Sequence, residues 1–235
     1  MTIKGILFDK DGTLIEVNGT WIPLYKSMLA KEFGHEPHEV EDLLTRVGYN
    51  RETETVRAGS AMAGGTTREI AALWWPEISA EQRKERVYHI DNVIGPQAKS
   101  FVKPLMDLAP VFDALHAMGL VIGVGTNDSE ASGRAHMVHL GVDHYFKTII
   151  GSDSVAIAKP SGQMIARFAS VTGLKPAEIA MVGDNSHDMD EARAGGAGLA
   201  IAVLSGNAAH GDIAHLADHV VPSVADIPHL LKMLQ

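Results

Sequence analysis

The chain has 235 residues, of which 46% are hydrophobic and 21% charged, and it contains no cysteine. This composition supports a substantial hydrophobic core and excludes a disulfide scaffold, thiol catalysis and cysteine-ligated metal sites. Twenty Lys and Arg residues against 29 Asp and Glu give a net charge of −9 without a basic run, so nucleic acid is not the expected partner.

The first predicted element is a short buried strand at residues 3–8, which ends at an Asp-Lys-Asp-Gly-Thr turn. This run is too short for a signal peptide, and no later apolar run is long enough to cross a bilayer, so we expect a soluble cytoplasmic protein. From residue 20 to about residue 92 the apolar residues recur at helical spacing. Within that block, residues 57–67 are rich in Gly, Ser and Thr and are typical of a loop.

After a boundary marked by prolines at positions 96 and 104, predicted helices and strands alternate. The predicted strands are 120–124, 146–150, 179–182 and 199–203, and the helices between them are 108–118, 129–140, 162–172 and a short one reaching residue 194. This alternation is typical of a parallel sheet covered by helices on both faces. Since the first strand has no partner until residue 120, the helical block is an insertion. We therefore expect an α/β fold, with a Rossmann-like parallel sheet core (1–15 and 101–235) and an inserted all-helical cap domain (16–100).

Four polar clusters lie at or beside the carboxyl ends of the predicted strands, where ligands bind in open parallel sheets. These clusters are residues 9–13, Thr126 with Asn127, Lys159 with Pro160, and residues 183–188. Carboxylates at adjacent strand ends repel one another unless a cation lies among them, and hard oxygen ligands favour Mg²⁺. A nearby lysine and hydroxyl indicate that the cation is shared with an anion, most simply a phosphate. Each cluster alone is also typical of a turn or a helix cap, but the four in this order are specific.

With these four clusters the sequence resembles the haloacid dehalogenase-like superfamily over the whole chain. The first motif of that superfamily, a hydrophobic strand followed by Asp-x-Asp-x-Thr, is matched by residues 6–13. The resemblance implies that Asp9 is the nucleophile and Asp11 the general acid/base. The hydroxyl of the second motif, the lysine of the third and the acids of the fourth are matched, in that order, by Thr126, Lys159, Asp184 and Asp188.

The activity implied by this resemblance is the transfer of a phosphoryl group from a small phosphorylated metabolite. Asp9 would attack phosphorus to form an aspartyl-phosphate, and Asp11 would protonate the leaving oxygen and then accept a proton from water. Asp9, the Asp11 carbonyl and Asp184 would hold Mg²⁺, and Asp188 would support the metal or its waters.

The donors expected around the phosphoryl oxygens are the side chains of Thr126, Asn127 and Lys159 and backbone N–H groups near Lys10. Substrate specificity is expected in the cap loop 57–67, where Arg57 would offer donors to a carboxylate or a sugar hydroxyl of the substrate. A mobile connector between two cap helices is the alternative interpretation of this loop.

Two features bear on the branch of the family. By resemblance, Asp11 favours phosphatases and phosphomutases over dehalogenases and P-type ATPases, which carry a different residue at that position. The inserted cap resembles that of phosphoglycolate phosphatases, although residues 161–163 lack the further prolines common there after the lysine of the third motif. Beside a phosphatase, a phosphomutase of the beta-phosphoglucomutase type and a non-catalytic binding protein on the same scaffold remain as alternatives.

Overall fold

The computed structural model of the protein describes residues 2–234. Strands in this range are β1 (Gly5–Phe8), β2 (Tyr49–Asn50), β3 (Thr55–Val56), β4 (Val121–Gly125), β5 (Phe146–Ile150), β6 (Ile179–Gly183), β7 (Leu199–Val203) and β8 (His219–Val221). One sheet contains six of them in the order β5-β4-β1-β6-β7-β8, and every neighbouring pair is parallel. β1 and β6, at its centre, are buried at every position, as expected for a parallel sheet with both faces covered.

The helices fall into two groups according to whether they come before or after β4 in the sequence. Those after β1 and before β4 are α1 (Val17–Lys31), α2 (Pro37–Val47), α3 (Ala61–Gly64), α4 (Thr67–Trp74), α5 (Ala80–His89), α6 (Gly95–Gln97) and α7 (Ala109–Ala117). Those after β4 are α8 (Glu130–His139), α9 (Gln163–Thr172), α10 (Ser186–Gly195), α11 (His210–Ile213) and α12 (Ile227–Met233). Within residues 2–234, no helix combines the length and the hydropathy needed to span a membrane.

The hydrophobic core has three parts. Alternate side chains of β1 enter two of them, one on each face of the sheet: Ile6 and Phe8 pack in one cluster and Leu7 in the other. A third cluster, formed entirely by residues between Val17 and Ala98, fills the space among α1, α2 and α4. Because this third cluster is separate from the other two, we propose to divide the chain into the core (1–15 and 101–235) and the cap (16–100).

The expected fold class is confirmed, with additions. The strands predicted at 146–150 and 199–203 coincide with β5 and β7, and the other predicted strands differ at their ends by one or two residues. The cap is not wholly helical, because β2 and β3 form a small antiparallel hairpin. The loop predicted at 57–67 contains the short helix α3. β2, β3, β8 and α3 contain only two to four residues and show no hydrophobic period, so the sequence pattern did not reveal them.

Candidate active site

The carboxyl ends of β1, β4 and β6 meet at one edge of the sheet, and the cap covers this edge. A cavity of about 40 Å³ lies between the two. Its core-side wall consists of Asp9, Asp11, Thr126, Asn127, Asp128, Lys159, Asn185, His187 and Asp188. Its cap-side wall consists of Trp21, Tyr25, Met62, Ala63, Gly64, Gly65, Thr67 and Ile70.

Three buried carboxylates form the centre of the site. Oxygen atoms of Asp9, Asp184 and Asp188 lie within 4.8 Å of one another. Burial, followed by the charge of Asp188, raises the pKa of Asp9 to about 7. Burial and the charges of Asp9 and Asp188 raise the pKa of Asp184 well above its usual range. This crowding of negative charge suits a divalent cation with oxygen ligands, so the residues present fit Mg²⁺.

The backbone around Asp184 leaves no room for a larger neighbour. A Cβ added at Gly12 or at Gly206 would overlap the Asp184 carboxylate. Gly12 also has a φ of +82°, a conformation that favours glycine and that turns the chain after Asp11. The two glycines therefore allow the first motif and the loop after β7 to close on Asp184 from both sides.

Lys159 is the cation placed among these carboxylates. Its Nζ lies 2.5 Å from Asp9 Oδ1 and 2.6 Å from Asp188 Oδ1. Although burial lowers the pKa of Lys159, the charges of Asp188 and Asp9 outweigh it and raise the pKa above its usual value. The second oxygen of Asp188 accepts a hydrogen bond of 3.0 Å from the N–H of Asn185. With both oxygens engaged, Asp188 is better suited to orienting Lys159 and metal-bound water than to binding a metal directly.

The residues after β4 serve two different purposes. Thr126 Oγ1 accepts a hydrogen bond of 3.1 Å from the N–H of Asp128, which leaves its hydroxyl hydrogen free to donate to a bound anion. The Asn127 amide instead binds protein: its Oδ1 accepts from the N–H of Lys159 (3.0 Å). Its Nδ2 donates to the carbonyl oxygens of Lys159 (3.2 Å) and of Gly64 in the cap (2.7 Å). Asn127 therefore fixes the lysine loop and joins core to cap.

The Asp11 carboxylate points toward the cap rather than toward the carboxylate cluster. Its Oδ1 accepts a hydrogen bond of 2.6 Å from Nε1 of Trp21, on α1, and another of 3.0 Å from Nζ of Lys10. The cap itself supplies a donor that orients the expected acid/base group.

Three of the residues expected to bind the substrate are placed differently. Asn127, expected as a donor to the phosphoryl oxygens, uses its amide for the contacts with protein just described, and the side chains of Lys10 and Arg57 lie outside the cavity. Lys10 is fully buried behind the cavity, where its ammonium pairs with Asp11 (2.9 Å) and Asp128 (3.1 Å), so its side chain does not reach the substrate space. The contact with Asp128 Oδ2 is an ion pair without hydrogen-bond alignment. Arg57 is exposed and donates to the carbonyl oxygen of Thr45 at 3.3 Å, outside the cavity. The chain turns at α3 after Arg57, and this turn presents the following residues to the cavity instead.

Sequence reasoning missed the aromatic pair Trp21 and Tyr25 as well as Asp128. Trp21 and Tyr25 are four residues apart on α1, which puts both on one helix face. This spacing was visible in the sequence, but it is equally typical of residues that pack inside the cap. Trp21 and Tyr25 also belong to the hydrophobic cluster of the cap. Asp128 directly follows the second motif and carried no separate signal.

Comparison with known proteins identifies the family. A family model of haloacid dehalogenase-like hydrolases matches residues 3–196. The chain is 36% identical to the phosphoglycolate phosphatase of Chromobacterium violaceum, covering 98% of this chain and 97% of the relative. It is 27% identical to that of Salmonella typhi, covering 83% and 79%. A crystal structure of a predicted phosphoglycolate phosphatase from Haemophilus somnus shares the fold with a TM-score of 0.72 at 20% identity, covering 100% and 99%. This chain belongs to the haloacid dehalogenase-like hydrolase family.

Proposed function

We propose that the protein is a Mg²⁺-dependent phosphatase that hydrolyses a small phosphomonoester through an aspartyl-phosphate on Asp9. The observation that carries the proposal is the juxtaposition of Asp9 with Lys159, at 2.5 Å, inside a cluster of buried carboxylates. The relatives named phosphoglycolate phosphatases support a phosphorylated metabolite as substrate. A cavity of about 40 Å³ has room for about three water molecules, which supports a small one.

The first step uses Asp9, Lys159 and Asp11. A carboxylate oxygen of Asp9 attacks phosphorus, the ester P–O bond breaks, and Asp11 gives its proton to the departing alcohol oxygen. Lys159 and the Thr126 hydroxyl donate to the phosphoryl oxygens as charge redistributes on them. When bound by Asp9, Asp184 and the Asp11 carbonyl, Mg²⁺ would neutralise repulsion between the anionic nucleophile and the anionic phosphoryl group.

The second step returns the enzyme to its starting state. Asp11, now ionised, accepts a proton from a water molecule as that water attacks phosphorus, and the acyl–phosphate bond breaks. The products are inorganic phosphate and the Asp9 carboxylate. The hydrogen bond from Trp21 keeps the Asp11 carboxylate in one orientation for both proton transfers.

Release of inorganic phosphate from a panel of phosphorylated metabolites, with Mg²⁺ and after chelation by EDTA, tests this proposal. Asp9→Asn keeps the shape of the side chain but removes the attacking oxygen, so turnover should fall by at least about three orders of magnitude. Rapid quenching should trap a hydroxylamine-sensitive phosphoryl-enzyme in the wild type and not in this variant. Undiminished phosphate release by Asp9→Asn contradicts the mechanism.

The same assay separates the alternatives. A phosphomutase would require a sugar bisphosphate and would return the phosphoryl group to a sugar rather than to water. A non-catalytic binding protein would bind phosphorylated metabolites without releasing phosphate from any of them. The placement of Asp11 at hydrogen-bond distance from Trp21 favours catalysis, because a binding protein needs no second aspartate held in this way.

A further inference from the structure

The wall that the cap contributes to the cavity is uncharged. Within residues 2–234, the cap side chains that line it with more than a methyl group are Trp21, Tyr25, Met62, Thr67 and Ile70. This wall faces the catalytic carboxylates, so it contacts the part of the substrate that leaves as an alcohol. Arg57, the basic residue expected to contact that part of the substrate, lies outside the cavity.

The two buried lysines at the site are already paired with carboxylates. Lys159 contacts Asp9 and Asp188 at 2.5 and 2.6 Å. Lys10 is buried behind the cavity and pairs with Asp11 and Asp128. Each ammonium therefore contacts two carboxylates. The phosphoryl group of a bound substrate adds further negative charge beside Lys159. Neither lysine is available for a second anionic group on the substrate.

The surroundings of the alcohol part are instead rich in acceptors. Asp11 and Asp128 both line the cavity, and the single ammonium of Lys10 is the cation paired with these two carboxylates. Burial, followed by the charges of Asp128 and Asp11, raises the pKa of Tyr25 well above its usual range. These carboxylates thus act electrostatically on the cap wall. They would repel a carboxylate placed there and attract a hydroxyl or ammonium group.

The imidazole ring of His187 adds another hydrogen-bond acceptor to the lining of the cavity. Its Nδ1 lies 3.0 Å from Asn185 Oδ1, an atom that only accepts hydrogen bonds, so Nδ1 is the donor. In the neutral ring Nε2 is then left as an acceptor, which suits a hydroxyl group of a substrate.

We infer that the alcohol released by this enzyme carries no negative charge and bears hydrogen-bond donors, as polyols and amino alcohols do. Phosphorylated carboxylic acids are then poor substrates, although the names of the relatives include one. This inference rests on the proposed phosphatase function and specifies its substrate class.

Matched pairs of esters that differ by one carboxylate test the inference on the unmodified enzyme with Mg²⁺. Three such pairs are O-phosphoethanolamine with O-phosphoserine, glycerol 3-phosphate with 3-phosphoglycerate, and 2-hydroxyethyl phosphate with phosphoglycolate. The member without the carboxylate should have the higher kcat/KM by at least about tenfold in each pair, because the carboxylate meets like charge without a counter-ion. Equal or higher kcat/KM for the carboxylated members overturns the inference but leaves the phosphatase function intact. Release of phosphate from none of the esters overturns both.

A charge placed on the cap wall gives a second, independent test. Met62→Lys puts an ammonium on the wall, so it should shift the ratio of kcat/KM within each pair toward the carboxylated member by about tenfold. Leu73→Lys is the matched control, because Leu73 is an exposed apolar residue of α4, outside this cavity. That control should leave the ratio unchanged. A Met62→Lys enzyme that folds but keeps the wild-type ratio contradicts the inference, and if it does not fold the matched esters decide alone.

Discussion

At the scale of single residues, the ionic state of the site depends on two buried groups with opposite charge. Asp9 lies among other carboxylates and its pKa is raised to about 7, first by burial and then by Asp188. Lys10 lies beneath them with no exposed surface and neutralises Asp11 and Asp128 from behind. Within the first motif, the negative charge of Asp9 therefore destabilises the metal-free fold, whereas the positive charge of Lys10 stabilises it.

Asp9→Asn should make the metal-free protein progressively more stable than the wild type as pH rises. The carboxyl of Asp9 has an ordinary pKa of 3.8 and a folded pKa of about 7. Its folded pKa is the higher of the two, so its contribution to stability is full below the unfolded pKa and is lost as pH rises through about 7. The asparagine does not titrate and avoids this loss, which is on the order of a few kcal/mol at most.

Urea denaturation in EDTA at a series of pH values measures this difference. Asp190→Asn, which removes an exposed carboxylate from the same site-forming helix α10, is the matched control and should show no such trend. If the free energies of unfolding of the wild type and Asp9→Asn change with pH in parallel, ionisation of Asp9 does not destabilise the fold.

Lys10→Met should destabilise the protein by about 3–5 kcal/mol, because it leaves two carboxylates largely buried without their cation. Combining it with Asp128→Asn should recover part of the loss, since the second change removes one of the stranded charges. Thermal and urea denaturation measure both variants. A loss no greater than that of an ordinary surface substitution would mean that the buried ion pairs contribute little.

At the scale of elements, α1 connects the cap to the chemistry. The indole Nε1 of Trp21 donates to Asp11 Oδ1 at 2.6 Å, so α1 supplies one of the two donors that orient the proposed acid/base group, and Lys10 supplies the other. Asn127 makes a second connection between core and cap, through its hydrogen bond to the Gly64 carbonyl. The position of the cap against the core therefore contributes to the orientation of the proposed catalytic groups.

Trp21→Phe should lower kcat by about tenfold on an alkyl phosphate, because a hydrogen bond to a charged group is lost while most of the packing is kept. The effect should be smaller on an aryl phosphate, whose leaving group needs little protonation. Trp74→Phe is the matched control: it removes a buried indole that donates to the Leu43 carbonyl inside the cap, away from the cavity. Equal losses of kcat with both substrates would indicate that Trp21 is structural only.

How far the sequence predicted this site depends on the kind of contact involved. Asp9, Thr126 and Asp184 follow strands in sequence, so the parallel order of the sheet brings them together. The contact between Trp21 and Asp11, and the absence of Arg57 from the cavity, depend instead on how the cap turns relative to the core. No local pattern encodes that rotation. The burial of Lys10 was missed for a related reason, since an isolated lysine in a turn is usually solvated.

At the scale of the whole molecule, a bound cation should stabilise the fold. The proposed metal site joins residues that directly follow β1 and β6, so Mg²⁺ binds the folded state in preference to the unfolded one. At about 100 times its dissociation constant the cation should add about 2.7 kcal/mol. Differential scanning fluorimetry should show a rise in Tm that EDTA reverses.

Asp184→Ala should abolish this rise in Tm. Asp188→Ala should weaken the apparent Mg²⁺ affinity by about 10–100-fold, as expected of a residue that orients metal ligands without binding the metal itself. Asp190→Ala, on the exposed face of α10, is the control with the same loss of charge. A rise in Tm that survives in Asp184→Ala would place the cation elsewhere.

The hydrogen bond between Asn127 and Gly64 has a consequence for how such enzymes diversify. Asn127 in the core donates to the main-chain carbonyl oxygen of residue 64 in the cap, and a residue of any type has such a carbonyl. At position 64 itself a Cβ would lie 2.8 Å from His187 Nδ1 and 3.0 Å from Asn185 Nδ2, so a larger residue would displace these two side chains. Position 65 is restricted as well, because a Cβ there would lie 2.7 Å from the Ala61 carbonyl oxygen, whereas positions 62 and 63 already carry the side chains of Met62 and Ala63. Because the hydrogen bond needs only the main chain of position 64, substitutions of Met62, whose side chain lines the cavity, can alter substrate selection while this contact between core and cap is kept.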